Sequence, residues 1–364
     1  MIDRYRLEAH DEPLDEREIS RMVGSLSRRG MLGLTGLAGL AAAVACTDKK
    51  EAKADATTAA ATAAPAGTTA KKLRAAYSDI GPGSGSTWEA RGIETAKLYG
   101  GLLGAEVVVF DSGFKAEKQL EQLEQIAGQD FDFVAIHAGA INAFVDPVKK
   151  ILAKGTPVIQ MDTKIADDTD ALGVTTFIEP NNIYMGETMA NTLFTAIGGK
   201  GEVIHTQGNL THTGAQLRGE GFKNAAKKWP DIKVVDESSG MWSAEETSKL
   251  WENLLVKFPD VKGGYFHNDD MALAAAASAK GKGKDVKMVG IDGMEPACEA
   301  VAKGDLLATV INPTGRIHGT AMWVGYLLAS KKIKEVPKYI RADGGVVEKE
   351  TAAGFKWLGE QFQL

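Results

Sequence analysis

The chain reads as an α/β protein built from two doubly wound parallel sheets, and three observations predict that class. Short apolar runs alternate with helical stretches along most of the chain, from 73 to 329. Such strict alternation closes into parallel sheets with helices on both faces. Several of the runs end on a polar side chain: Ser78, Asp162, Asn268, Asp292 and Asn312. The carboxyl ends of parallel strands share one edge, where open α/β sheets bind ligands. Finally, the alternation restarts after residue 178, and two lobes of about 130 residues each fit the length.

The first half supplies strands at 73–78, 106–110, 133–136, 157–161 and 175–178. Helices are expected at 88–99, 116–127 and 143–152. In the second of these Leu120, Leu123 and Ile126 recur at helical spacing. The second half begins with a helix at 185–197 and a strand at 201–205. A helix at 215–228 carries Arg218 and stops at Trp229–Pro230. A strand at 234–235 leads to Trp242, and a helix follows at 245–257. The segment 265–293 is the most legible. A strand closes on Asn268, the small apolar residues of 271–279 favour helix, and a second strand closes on Asp292. A helix at 296–303, a strand at 307–310 and a helix at 317–329 complete the pattern.

The first 71 residues have a different character. Arg28-Arg29 precedes a run rich in Gly, Ala and Leu from 30 to 45. That run is short for a membrane span, which needs about 20 apolar residues. A basic region, an apolar run and Ala43-Val44-Ala45 before a break read as an export signal, and the arginine pair points to the bacterial route for folded proteins. A buried helix after a chance arginine pair is the competing reading. Cys46 ends the run in the manner of a lipoprotein processing box, with simple cleavage after Ala45 as the alternative. Residues 47–71 are mostly Ala and Thr, with no aromatic or large aliphatic side chain. They cannot bury enough surface to offset chain entropy and read as a tether.

Bulk composition is that of an ordinary globular protein, 44% hydrophobic and 25% charged. The formal net charge of −6 disfavours nucleic acid as a partner. The two cysteines, Cys46 and Cys298, are far apart, so no disulfide framework is expected. The Gly-rich loop at 81–86 fails the dinucleotide fingerprint, because Ser86 and Trp88 stand where glycine is required. His205 and His212 are separated by loop residues, and no H-E-x-x-H or C-x-x-C occurs, so no metal site and no cofactor are expected. No nucleophile elbow appears. The polar strand ends could each merely cap a helix or start a turn. Five of them on one edge instead suggest a crevice for a small polar ligand, with Trp88 and Trp242 offering flat faces to a sugar ring.

Asn268-Asp269-Asp270-Met271-Ala272-Leu273 and Val289-Gly290-Ile291-Asp292-Gly293 resemble the ribose- and galactose-binding type of periplasmic substrate-binding protein of ABC importers. Residues 157–162, 218–222 and 304–310 support the resemblance, which covers 72–348. It implies a type I fold whose lobes, 72–178 plus 314–341 and 179–313 plus 342–350, are joined by a three-stranded hinge, with 351–364 as an extension. It further implies that Ser78, Asp162, Arg218, Asn268, Asp292 and Asn312 hydrogen-bond the ligand and that Trp242 covers its ring. The implied partners are a small neutral sugar or polyol and an ABC permease, with the receptor a monomer and not an enzyme. Thr163 replaces an arginine common in pentose binders, and the 81–86 loop replaces an asparagine and aromatics. Both departures point away from ribose itself. A sensory receptor sharing the same site, and a nucleotide-dependent enzyme on a similar sheet, are the alternatives.

Overall fold

The structure, a computed structural model, describes residues 72–81 and 86–352. The export signal, Cys46 and the tether lie outside the described residues, as do 82–85 and 353–364.

The first lobe is built on a six-stranded sheet of order β11-β5-β4-β3-β1-β2. Its strands are β1 (Arg74–Asp79), β2 (Glu106–Asp111), β3 (Phe133–His137), β4 (Val158–Met161), β5 (Thr176–Glu179) and β11 (Tyr339–Arg341), all paired in parallel. β3, β4 and β5 are buried at every residue, as expected of strands covered on both faces. Helices α1 (Thr87–Leu103) and α10 (Thr314–Ala329) cover one face; α2 (Ala116–Ala127) and α3 (Val145–Ala153) cover the other. A short α4 (Thr169–Leu172) links β4 to β5.

The second lobe repeats the scheme with order β12-β10-β9-β8-β6-β7. Its strands are β6 (Gly201–Thr206), β7 (Ile232–Asp236), β8 (Gly263–Phe266), β9 (Lys287–Asp292), β10 (Ala308–Ile311) and β12 (Val346–Val347). Only β12 runs antiparallel, against β10. Helices α5 (Asn182–Ala196) and α6 (Thr213–Ala226) pack on one face; α7 (Ala244–Lys257), α8 (Asp269–Gly281) and α9 (Glu295–Lys303) pack on the other.

Three segments cross between the lobes: β5 to α5, β10 to α10, and β11 to β12. Each sheet has its switch point beside its first strand, between β1 and β3 and between β6 and β8. Residues just past those strand ends are therefore brought into the cleft.

Helix α2 corrects one expectation. Leu120 is partly exposed, and the buried position beside it is Gln119. The Gln119 amide donates to the His137 carbonyl (2.6 Å) and accepts from Gly139 N–H (2.9 Å), tying α2 to the end of β3. A buried amide with partners replaces the apolar contact that periodicity predicted. The three-residue β11 and two-residue β12 carry too few residues for a periodic signal and were not expected as strands.

Candidate ligand-binding site between the lobes

A cavity of about 30 Å³ lies at the facing strand ends. Trp88, Glu89, Phe114, His137 and Asp162 line it from the first lobe; His212, Arg218, Trp242, Asn268 and Asp292 line it from the second. Asn312, in the second crossing, completes it with Ile80 and Ser86. Seven of the eight residues singled out in the sequence thus converge: Trp88, Asp162, Arg218, Trp242, Asn268, Asp292 and Asn312.

Ser78 does not line the cavity. It lies one residue before the end of β1, and its hydroxyl accepts from Gln119 (3.3 Å) in the buried interior. The strand continues to Asp79, whose carboxylate accepts from the Tyr77 hydroxyl (2.7 Å) and Gly81 N–H (2.7 Å).

Backbone strain collects here. Of the seven described non-glycine residues with positive φ, four line the cavity: Phe114 (62°), Asp162 (54°), Trp242 (63°) and Asp292 (131°). Such conformations cost roughly 1–3 kcal/mol each and persist where surrounding packing holds them. Trp242 is held further by Gly208, where an added Cβ would fall 2.3 Å from the indole ring. One face of that indole is covered by the Arg218 guanidinium, 5.6 Å from the ring centroid.

Several residues serve the local structure and the cavity together. Asn268 caps α8, accepting from Met271 N–H (3.0 Å). Asn312 donates to Asp162 Oδ1 (3.1 Å), while its carbonyl accepts from Trp88 Nε1 (2.9 Å). Arg218 donates to Asn182 Oδ1 (2.9 Å) and to the His267 carbonyl, and pairs with Asp292 at 3.3 Å.

Six buried ionisable groups give the site its electrostatics: Glu89, His137, Asp162, His212, Arg218 and Asp292. His137 Nδ1 faces Glu89 at 3.2 Å and its Nε2 faces Asp162 at 3.5 Å. Burial disfavours the imidazolium, but Glu89 and Asp162 together raise His137 well above the usual range. Burial likewise opposes the Asp162 charge, yet the His137 bond and charge, with Arg218 further off, hold its carboxyl below the usual range. Burial lowers His212 to about 3, with the His137 charge adding to the effect. Burial pushes Asp292 well above the usual carboxylate range, outweighing the pull of Arg218.

Glu89 and His137 line the cavity although the sequence did not single them out, and His212, weighed in the sequence only as a metal ligand beside His205, lines it as well. His137 ends β3 as Asp162 follows β4, so the strand-end rule could have found it. Glu89 stands three residues after Ser86, the spacing of a capping box. Ser86 does accept from Glu89 N–H (3.4 Å), but the Glu89 carboxylate turns to His137 instead. His205 and His212 part company. His205 meets Glu237 (3.0 Å) and His267 (2.8 Å), whereas His212 Nε2 meets His137 Nε2 at 3.3 Å.

Comparison with known proteins agrees with this architecture. The D-apiose import binding protein of Paraburkholderia graminis is 27% identical over 250 residues, 68% of this chain and 75% of that protein. The xylitol-binding protein of Mycolicibacterium smegmatis is 26% identical over 258 residues, 70% of this chain and 73% of that protein. Among solved structures, the binding protein of the arabinose ABC transporter from Shewanella sp. ANA-3 superposes with a TM-score of 0.73 at 25% identity, covering 80% of this chain and 96% of that one. The family described as periplasmic binding protein domain matches residues 80–333. With that match spanning most of the chain, on a fold of two hinged parallel-sheet lobes, this protein belongs to the periplasmic binding protein domain family.

Proposed function

We propose that this protein is an exported receptor that captures a neutral sugar or polyol by closure of its lobes and hands it to an ABC permease. One observation carries the ligand class. Among the cavity-lining side chains, Asn312 Oδ1, Trp242 Nε1 and His212 Nδ1 are buried without a hydrogen-bond partner. An unpaired buried polar atom costs about 1–3 kcal/mol. A ligand whose groups both donate and accept would satisfy a mixed set of this kind, and a hydroxyl does both. Asp162 and Asp292 would accept from hydroxyls; Arg218 and Asn268 would donate. The apiose- and xylitol-binding relatives support the same ligand class.

The cavity of about 30 Å³ is far below the roughly 300–1,000 Å³ of small-molecule pockets, so entry requires the lobes to part. The three crossings supply the hinge. Contacts across the cleft hold the closed form: Thr87 N–H and hydroxyl donate to Asp270 (3.0 Å each), Lys164 N–H donates to Thr213 (2.9 Å), and Ile141 N–H donates to the Thr211 carbonyl (3.2 Å). Export through the arginine-pair signal and anchoring by acylation of Cys46 complete the proposal.

The test is a thermal-shift screen over pentoses, hexoses, alditols and inositols, followed by calorimetry on the compound that stabilises. The proposal requires at least one neutral polyhydroxylated compound to raise the melting temperature and to compact the protein in solution scattering. If none does, the ligand class is wrong.

A further inference from the structure

We infer that the cavity holds a second, inorganic site: a divalent ion of the Zn2+ or Co2+ type, ligated by His137 Nε2, His212 Nε2 and the Asp162 carboxylate. This goes beyond the sugar reading and does not depend on it. The three donor atoms lie within 4.8 Å of one another. Donors bound at 2.0–2.1 Å to a tetrahedral ion sit about 3.3–3.4 Å apart. His137 Nε2 lies 3.3 Å from His212 Nε2 and 3.5 Å from Asp162 Oδ2, close to that edge length. In the metal-free protein one ring N–H can bridge the two imidazoles, but a cation is the partner that would accept all three donor atoms at once.

The surroundings are those of a ligating set. His137 turns its other nitrogen to Glu89 at 3.2 Å, the carboxylate–histidine arrangement that orients a metal-bound imidazole. The second oxygen of Asp162 is fixed by the Asn312 amide at 3.1 Å. His212 is 5% exposed, its ring packs edge-on against Trp242, and this leaves its Nε2 aimed at His137 and Asp162. Asp79, Glu89 and Asp162 are also buried, and a dication would help offset that gathering of negative charge. Three protein donors leave a fourth position open for a ligand oxygen. His137 and Asp162 belong to the first lobe and His212 to the second, so the ion would bridge the cleft and favour the closed form.

The experiment uses the full chain, freed of metal by chelation and dialysis, with no sugar present. Co2+ is titrated against its visible ligand-field absorption and Zn2+ by calorimetry. One equivalent of Co2+ is expected to saturate an intense four-coordinate spectrum at micromolar protein. His137→Gln and His212→Gln are expected to weaken binding by roughly 100-fold or more, while His205→Gln binds as the wild type. Circular dichroism checks that the variants fold. If they do not, X-ray absorption at the zinc edge of the wild-type protein decides, with two imidazole ligands expected. No saturable spectrum at a hundred-fold excess of Co2+, undiminished binding in folded His212→Gln, or a zinc shell without imidazole would each overturn the inference. Sugar binding in the chelated protein is measured separately, so failure of the metal site leaves the ligand reading intact, and the reverse.

Discussion

Replacing Asp292 by asparagine should separate ligand affinity from stability. Asp292 is 5% exposed and stands 3.3 Å from the Arg218 guanidinium. Burial raises its carboxyl more than Arg218 lowers it, so its negative charge is costly in the unliganded protein. Asparagine keeps the shape and one acceptor oxygen. Arg218 keeps its bonds to Asn182 and the His267 carbonyl. The loss is therefore well below the roughly 3–5 kcal/mol of a buried pair broken outright. We expect a change of about 1 kcal/mol, or roughly 2–4 °C in melting temperature for a domain of this size. A ligand hydroxyl, by contrast, loses a charged acceptor. Hydrogen bonds to charged groups contribute about 1.5–3 kcal/mol and neutral ones about 0.5–1.5. The difference of roughly 1–2 kcal/mol corresponds to affinity weakened about 5- to 30-fold. Calorimetry with the sugar found by thermal screening measures the affinity, and a melt without sugar measures stability. Unchanged affinity, or a melting temperature lowered by more than about 10 °C, would refute the reasoning.

Asp270→Ala removes both bonds from Thr87 across the cleft. It should raise the ligand dissociation rate about ten-fold in stopped-flow measurements, consistent with a loss of roughly 1.5 kcal/mol from the closed form. Gly208→Ala would place a methyl 2.3 Å from the Trp242 ring. The ring must move, so a loss of about 1–3 kcal/mol in denaturant unfolding is expected, together with weakened binding. Asp269 offers a pH test. Burial raises its carboxyl to about 7, with Thr309 and Met294 N–H opposing the shift. Its folded value thus exceeds its unfolded value of about 4, so the native state binds the extra proton and stability falls as pH rises from about 4 to 7. Asp269→Asn mimics the protonated form and should flatten that fall, by on the order of 4 kcal/mol, in melts across the range.

The repeating strand–helix order needed only local information. Strands covered on both faces are continuous apolar runs, and helices between them show their own period. The strand-end rule then picked out Asp162, Asn268, Asp292 and Asn312, because the carboxyl edge of a parallel sheet is common to all its strands. It placed Ser78 wrongly, because β1 runs one residue further, to Asp79. Ser78 is therefore still inside the strand, with its hydroxyl held by Gln119, and the chain reaches the cavity only at Ile80. Leu120 and Gln119 traded places for a different reason. Hydrophobic period says nothing about a buried amide whose partners, Ser78, His137 and Gly139, come from other strands and turns.

From the sequence alone follow the two lobes, the edge on which each gathers its polar strand ends, and most of the side chains on that edge. Those depend on interactions between near neighbours in the chain. The meeting of His137, Asp162 and His212 depends on something else. They are 25 and 50 residues apart in the chain, on two lobes, and only closure of the cleft brings His212 Nε2 within 3.3 Å of His137. No spacing rule encodes such a contact, because it is set by how two separately folded sheets dock across three crossings. The same docking determines which carboxylates are ionised, since burial and the charges facing it belong to the assembled site.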